Sequence, residues 1–100
     1  MIRAALGQVY EEAFAEAHLS GEEAAMLRLR TQMLLAVKEA IRKRRWSQAK
    51  AAEALGVKQP RISEIMTLRI DKFSADLLVR YLDRLGFVAS ATVRTKPRDM

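Results

Sequence analysis

QAKAAEALGVKQPRISEIMT, residues 48–67, is the stretch on which the reading of this chain turns. It holds two short helical segments on either side of a glycine. Ser47 opens the first as its N-cap, because a hydroxyl there can accept one of the unpaired N–H groups of the first turn. Ala49, Ala51, Ala52, Ala54 and Leu55 keep that helix compact, and Gly56 ends it. The second begins near Lys58 and runs to Met66, with Pro60 in its first turn, where a missing N–H costs nothing. Two helices that cross steeply over a short turn make definite demands. The first must carry a small residue where they touch, and Ala52 supplies it. The turn must bend into a left-handed conformation that glycine accepts most cheaply, and Gly56 stands four residues on. Inward positions must be apolar: Ala51, Leu55, Val57, Ile62 and Ile65. An ordinary helical hairpin does not need this set together, nor does it place Gln, Arg and Lys on the outer face of its second helix. The pattern predicts a helix-turn-helix.

Upstream of this stretch, Ser20 and Glu23 form a capping box. From it the spacing predicts a long helix to about Arg45. Its apolar stripe is Ala25, Met26, Leu29, Met33, Ala36, Val37, Ala40 and Ile41, widened by Leu27, Leu34 and Leu35. It ends in Arg42-Lys43-Arg44-Arg45, where cations suit the negative end of the helix dipole and remain free to reach a phosphate. Before the cap, residues 3–18 read as a short helix with Leu6, Val9, Tyr10, Ala13, Phe14 and Ala17 at spacings of three and four. Tyr10 and Phe14 either fold back on the core or meet a partner helix. Downstream, residues 67–73 connect to a helix capped by Ser74 and running through Leu85, with Leu77, Leu78, Tyr81, Leu82 and Leu85 on one side and Gly86 closing it. Phe87, Ala89, Ala91 and Val93 then alternate with Val88, Ser90 and Thr92, which predicts one β-strand at 87–93, and Pro97 ends the ordered region. A lone strand has an unpaired edge, and pairing with the same strand of a second copy covers it.

One hundred residues allow one compact domain, and an apolar half is enough for a core. The expected organisation is a helical extension at 1–19, a domain at 20–94 and a disordered tail at 95–100. Four Gly and two Pro favour helix. The absence of cysteine excludes disulfides and thiolate metal sites and fits a reducing, cytoplasmic home. A lone His18 cannot build a metal site, so neither metal nor cofactor is expected. No signal peptide opens the sequence and no apolar run reaches the roughly 18 residues that a bilayer needs, so no membrane is expected.

The net charge of +6 is unevenly spread. Residues 1–27 hold one Arg against five Glu, and residues 28–72 hold twelve Lys and Arg against four Asp and Glu. A basic middle attracts a polyanion such as DNA and releases its counterions on binding. An anionic membrane surface would be attracted as well, so charge alone does not choose. No nucleophile–base pair, no paired carboxylates in a pocket and no phosphate loop are present, which argues against an enzyme. No exposed aromatic pattern suits RNA bases.

Residues 26–93 resemble the Cro/C1-type (XRE) helix-turn-helix family, and more narrowly its HigA-like antitoxin branch. The resemblance is carried by Leu34-Leu35-Ala36-Val37, by Trp46-Ser47-Gln48-Ala49-Lys50-Ala51-Ala52, and by Leu55-Gly56-Val57-Lys58-Gln59-Pro60-Arg61-Ile62-Ser63. Ile70-Asp71-Lys72-Phe73-Ser74, Leu77-Leu78 and Leu85-Gly86-Phe87 extend it. It departs at Leu68, where many relatives carry Gly, and at the helix 3–18. It implies a mainly all-α, five-helix lambda-repressor-like domain that binds a palindromic operator in double-stranded DNA as a homodimer, in many members as a repressor that also neutralises a small cognate toxin.

In such a domain the second helix of the motif lies in the major groove with its N-terminal residues at the base edges. Gln59 is the first candidate for base readout, since its amide can pair bidentately with adenine. Arg61 is the second, through guanine O6 and N7 or a phosphate. Pro60 offers apolar contact, Lys58 meets phosphate or a base edge, and Glu64 accepts from cytosine or orients Arg61. Phosphate anchors are Ser47, Gln48, Lys50, Ser63, Arg45, Thr67 and Arg69, supported by Arg44 and Lys72. Trp46 is expected to pack on the core rather than meet a base. The competing readings are a stand-alone phage-type repressor and an interaction module that has lost DNA.

Overall fold

The computed structural model describes residues 21–97. Among these residues the chain forms α1 (Gly21–Lys43), α2 (Gln48–Leu55), α3 (Gln59–Met66), a 3-10 turn (Ile70–Lys72) and α4 (Ala75–Arg84). The expected helix at 3–18, the cap at Ser20 and the last residues of the tail lie outside the described part. Helix α1 is the spine: α4 packs along it, and α3 and the 3-10 turn lean on it. Helix α2 packs on α3 and touches α4. No helix among the described residues is long and apolar enough to cross a membrane.

The core gathers one face of each element. Met33, Leu34, Val37, Ala40 and Ile41 come from α1, Ala51, Ala52 and Leu55 from α2, Ile62 and Ile65 from α3, and Leu78, Tyr81 and Leu82 from α4, with Phe73 and Leu85 closing it. Each large apolar side chain buried this way contributes about 1.5–3 kcal/mol. Trp46 and Val57 are half-buried against the same cluster, as is Met66. The expected stripe on α1 holds from Met33 onward and fails before it: Met26 and Leu29 are 47% and 41% exposed. Ala24 is buried and Leu27 half-buried, so the first turns are covered on one side, but Met26 and Leu29 face away from that cover.

Three helices end in the same hydrogen-bonded turn. After α2, Val57 N–H donates to Ala52 O and Gly56 N–H to Glu53 O. After α3, Arg69 N–H donates to Glu64 O and Leu68 N–H to Ile65 O. After α4, Phe87 N–H donates to Leu82 O and Gly86 N–H to Asp83 O. This is the Schellman arrangement, in which the residue past the cap is left-handed. Gly56, Leu68 and Gly86 occupy that place with φ of 68°, 55° and 88°. Helix α1 stops at Lys43, two residues short of the expected end, because Arg45 also turns left-handed (φ 54°).

The expected strand is a correction. Residues 88–97 form neither helix nor strand and are exposed throughout, with Phe87 at 44% and Val88 and Val93 each at 92%; Ala89 and Ala91 are exposed too. A helix closes its hydrogen bonds within itself, whereas a strand requires a neighbour. No other described segment is extended enough to provide one. Among the described residues the alternation of apolar residues therefore buries neither face.

Candidate nucleic-acid interface

Helices α2 and α3 each begin on an extended residue. Ser47 (φ −67°, ψ 165°) caps α2, its Oγ accepting from the Lys50 N–H at 3.1 Å. Lys58 (φ −86°, ψ 154°) precedes α3 without a side-chain cap. The first turn of α3 therefore keeps its backbone donors free of side-chain partners, and Pro60 removes one of them. Ser47, Gln48 and Lys50 are exposed at the start of α2, and Lys58, Gln59 and Pro60 at the start of α3.

Helix α3 divides into two faces by its period. Ile62 and Ile65 are fully buried. Gln59, Pro60, Ser63 and Thr67 are exposed, and the spacing 59, 63, 67 lines them up along one side. The Thr67 hydroxyl donates back to Ser63 O at 2.8 Å, so it closes the helix end. Between the two faces sit Arg61 and Glu64, each about a third exposed at the side chain, with Arg61 Nη1 3.3 Å from Glu64 Oε1. The Arg61 guanidinium lies over the Phe73 ring, 4.6 Å from its centroid. Phe73 meets Tyr81 edge-on, centroids 6.3 Å apart. The Tyr81 hydroxyl, foremost, and then the Glu64 carboxylate raise the Arg61 pKa, against a lowering by burial.

Two arginines of the basic middle and the last helix turn inward. Arg44 donates through Nη2 to Leu85 O at 2.7 Å and through Nη1 to Ala40 O at 3.3 Å, and it lies over both Trp46 and Phe87. It thus satisfies a carbonyl at the end of α4. Arg84 donates to Leu55 O at the end of α2. Arg42 pairs with Glu39 on the surface of α1, which raises the arginine pKa and lowers that of the glutamate. Arg69 faces Asp71 at 3.9 Å, both well exposed, a pair that holds little energy. Arg45, Lys50, Lys58 and Lys72 are exposed.

The sequence candidates therefore separate. Gln59, Pro60 and Ser63 share an outward stripe, while Arg61 and Glu64 are drawn together toward α4. The sequence does not show the inward roles of Arg44 and Arg84, nor that of Phe73 within the connection 67–73. For Phe73 a signal existed: Phe73-Ser74 with Leu78 four residues past the cap is the spacing of a hydrophobic staple, and both apolar residues are buried. Trp46-Ser47 with Ala51 repeats it at α2.

Two helices crossing over a Gly56 turn, with an apolar inner face and a polar outer stripe on the second, define a helix-turn-helix. A protein-family model described as a helix-turn-helix domain matches residues 15–94, and the chain belongs to that family. It is also similar to a solved structure described as an XRE family transcriptional regulator, at 29% identity and a TM-score of 0.69, over 78% of this chain and 88% of that one. No curated protein matches it.

Proposed function

We propose that this protein is a sequence-specific, DNA-binding transcriptional regulator that lays α3 in the major groove of its own operator. The observation that carries the reading is the outward stripe Gln59, Pro60 and Ser63 on a helix whose opposite face is locked into the core. Gln59 reads adenine through its amide, Pro60 meets a thymine methyl, and Lys58 stands at the helix start against the backbone. Ser47, Gln48 and Lys50 hold phosphate at the start of α2, with Arg45, Thr67, Arg69 and Lys72 as outer supports. The similarity to an XRE family regulator supports this use of the fold. The test is a titration against the DNA upstream of its own gene and against random DNA of equal length. Tight binding to the upstream fragment, relaxed by Gln59→Ala, is expected; equal, salt-sensitive binding to both would defeat it.

The regulator acts as a homodimer on a palindromic site and represses by blocking polymerase. The exposed segment 88–97 supports this, since it forms no helix or strand among the described residues and Val88 and Val93 are each 92% exposed. Truncation after Gly86 is expected to leave a monomer with weakened operator binding, and an unchanged dimer would contradict it. The setting we infer is the antitoxin half of a two-gene module, in which the acidic residues 1–27 meet a small basic toxin. Expression with the neighbouring gene is expected to co-purify such a protein, and recovery of this chain alone would count against it.

A further inference from the structure

Arg61 would ordinarily be chosen as a second base reader, and its surroundings point elsewhere. Three elements meet at its guanidinium: α3 itself through Glu64, the segment before α4 through Phe73, and α4 through Tyr81. Phe73 is 1% exposed and Tyr81 4%, and their rings touch edge to face. The recognition helix packs chiefly on α2 and α1. Beside the shared core, its polar link to the α4 side of the fold is this stack of cation and rings. We propose that Arg61 is a positioning residue that fixes the rotation of the recognition helix about its own axis, so that Gln59 and Ser63 meet the base edges in register, and that it reads no base itself.

The inference rests on the reading of α3 as the DNA-reading helix and assigns the division of labour within it. A planar guanidinium suits the task. It lies over the Phe73 ring while Nη1 faces the Glu64 carboxylate, and the Tyr81 hydroxyl favours its charged form, a set of neighbours that a lysine cannot serve together. Swinging out to a guanine would uncover Phe73 and remove the cation that now pairs with Glu64. Glu64 would then present an uncompensated carboxylate close to the phosphates. The same neighbours reinforce the charged state of Arg61.

Tyr81 makes the test clean, because it is buried on another helix and out of reach of DNA. Tyr81→Phe deletes only the hydroxyl and keeps the ring in the core. Wild type, Arg61→Ala, Arg61→Lys, Tyr81→Phe and the Arg61→Ala/Tyr81→Phe double variant are titrated on the upstream operator, on single-base variants of it and on random DNA. Titrations are run at two salt concentrations and at a temperature where circular dichroism shows every variant folded. Arg61→Ala is expected to lose roughly tenfold on the operator, spread over several base positions, with the preference over random DNA reduced and the salt dependence unchanged. Tyr81→Phe is expected to lose severalfold in the same pattern, Arg61→Lys to fail to rescue, and the double variant to be no worse than Arg61→Ala. Loss of discrimination at one base pair only, with Tyr81→Phe unaffected, would make Arg61 a reader and overturn the proposal. A salt slope smaller by about one, with rescue by Lys, would make it a phosphate contact and overturn it equally. A wild-type protein without preference for the operator would defeat the reading of α3, and non-additive thermal unfolding of the two variants would still decide whether Arg61 and Tyr81 act as a unit.

Discussion

The turns on either side of the recognition helix have the same hydrogen bonds and different residues. Before α3, Gly56 takes the left-handed position; after it, Leu68 does, at φ 68° and 55°. A left-handed side chain costs about 1–2 kcal/mol because Cβ approaches the following carbonyl oxygen. What separates the two sites is their surroundings. A Cβ at Gly56 would collide with the Arg84 guanidinium, which is bonded to Leu55 O. Leu68 is 37% exposed and free to project outward. The entry to the helix thus carries a displaceable side-chain contact as well as a backbone angle, and the exit a backbone angle alone. The entry turn also sets the crossing of α2 and α3.

The largest effect is expected at Gly56. Gly56→Ala combines backbone strain with loss of the Arg84 bond, together about 2–3 kcal/mol, a fall in Tm of roughly 10–20 °C. Thermal unfolding by circular dichroism measures it, and a fall of only a few degrees would show that the turn relaxes. Next comes Arg84→Ala, expected to cost about 1 kcal/mol by leaving Leu55 O without its donor. Combined with Gly56→Ala it should cost clearly less than the two separately, since the side chain in collision is gone. Additive losses would contradict the account of Arg84. The smallest effect belongs to Leu68→Gly. Relief of strain and the added freedom of the unfolded chain offset one another, so the change should stay within about 0.5 kcal/mol, whereas Leu68→Val, β-branched at the same angle, should cost at least about 1 kcal/mol. Equal Tm for the Gly and Val variants would show that the left-handed turn there carries no strain.

The helix-turn-helix was legible because its constraints are local. Ala52, Gly56, Val57 and the isoleucines announce themselves within twenty residues, and each is where the spacing requires. The cap at Ser47 and the cap at Ser74 were equally plain, since a hydroxyl before a helix has one obvious use. The exposure of Met26 and Leu29 was not legible, because periodicity says which side of a helix is apolar and not which part of that side its neighbours cover. Nor were the inward turns of Arg44 and Arg84: a basic residue near a helix end reads as a phosphate contact or a dipole partner, and only the fold brings Leu85 O or Leu55 O within its reach. Arg61 is the same case at the heart of the motif, with Phe73, the ring beneath it, 12 positions away and Tyr81, which meets that ring, 20 positions away. The segment at 87–93 failed differently. Its alternation is real, and alternation specifies a strand only when a second strand is at hand.

The most direct test of the account is a footprint-scale titration on the DNA upstream of the gene, comparing wild type with Gln59→Ala at equal fold stability. Wild type is expected to discriminate the operator from random DNA, and Gln59→Ala to lose about 1–3 kcal/mol of that discrimination at an A·T pair, with little change on random DNA. If Gln59→Ala binds the operator as the wild type does, α3 does not read the major groove through its first turn, and the central claim is wrong.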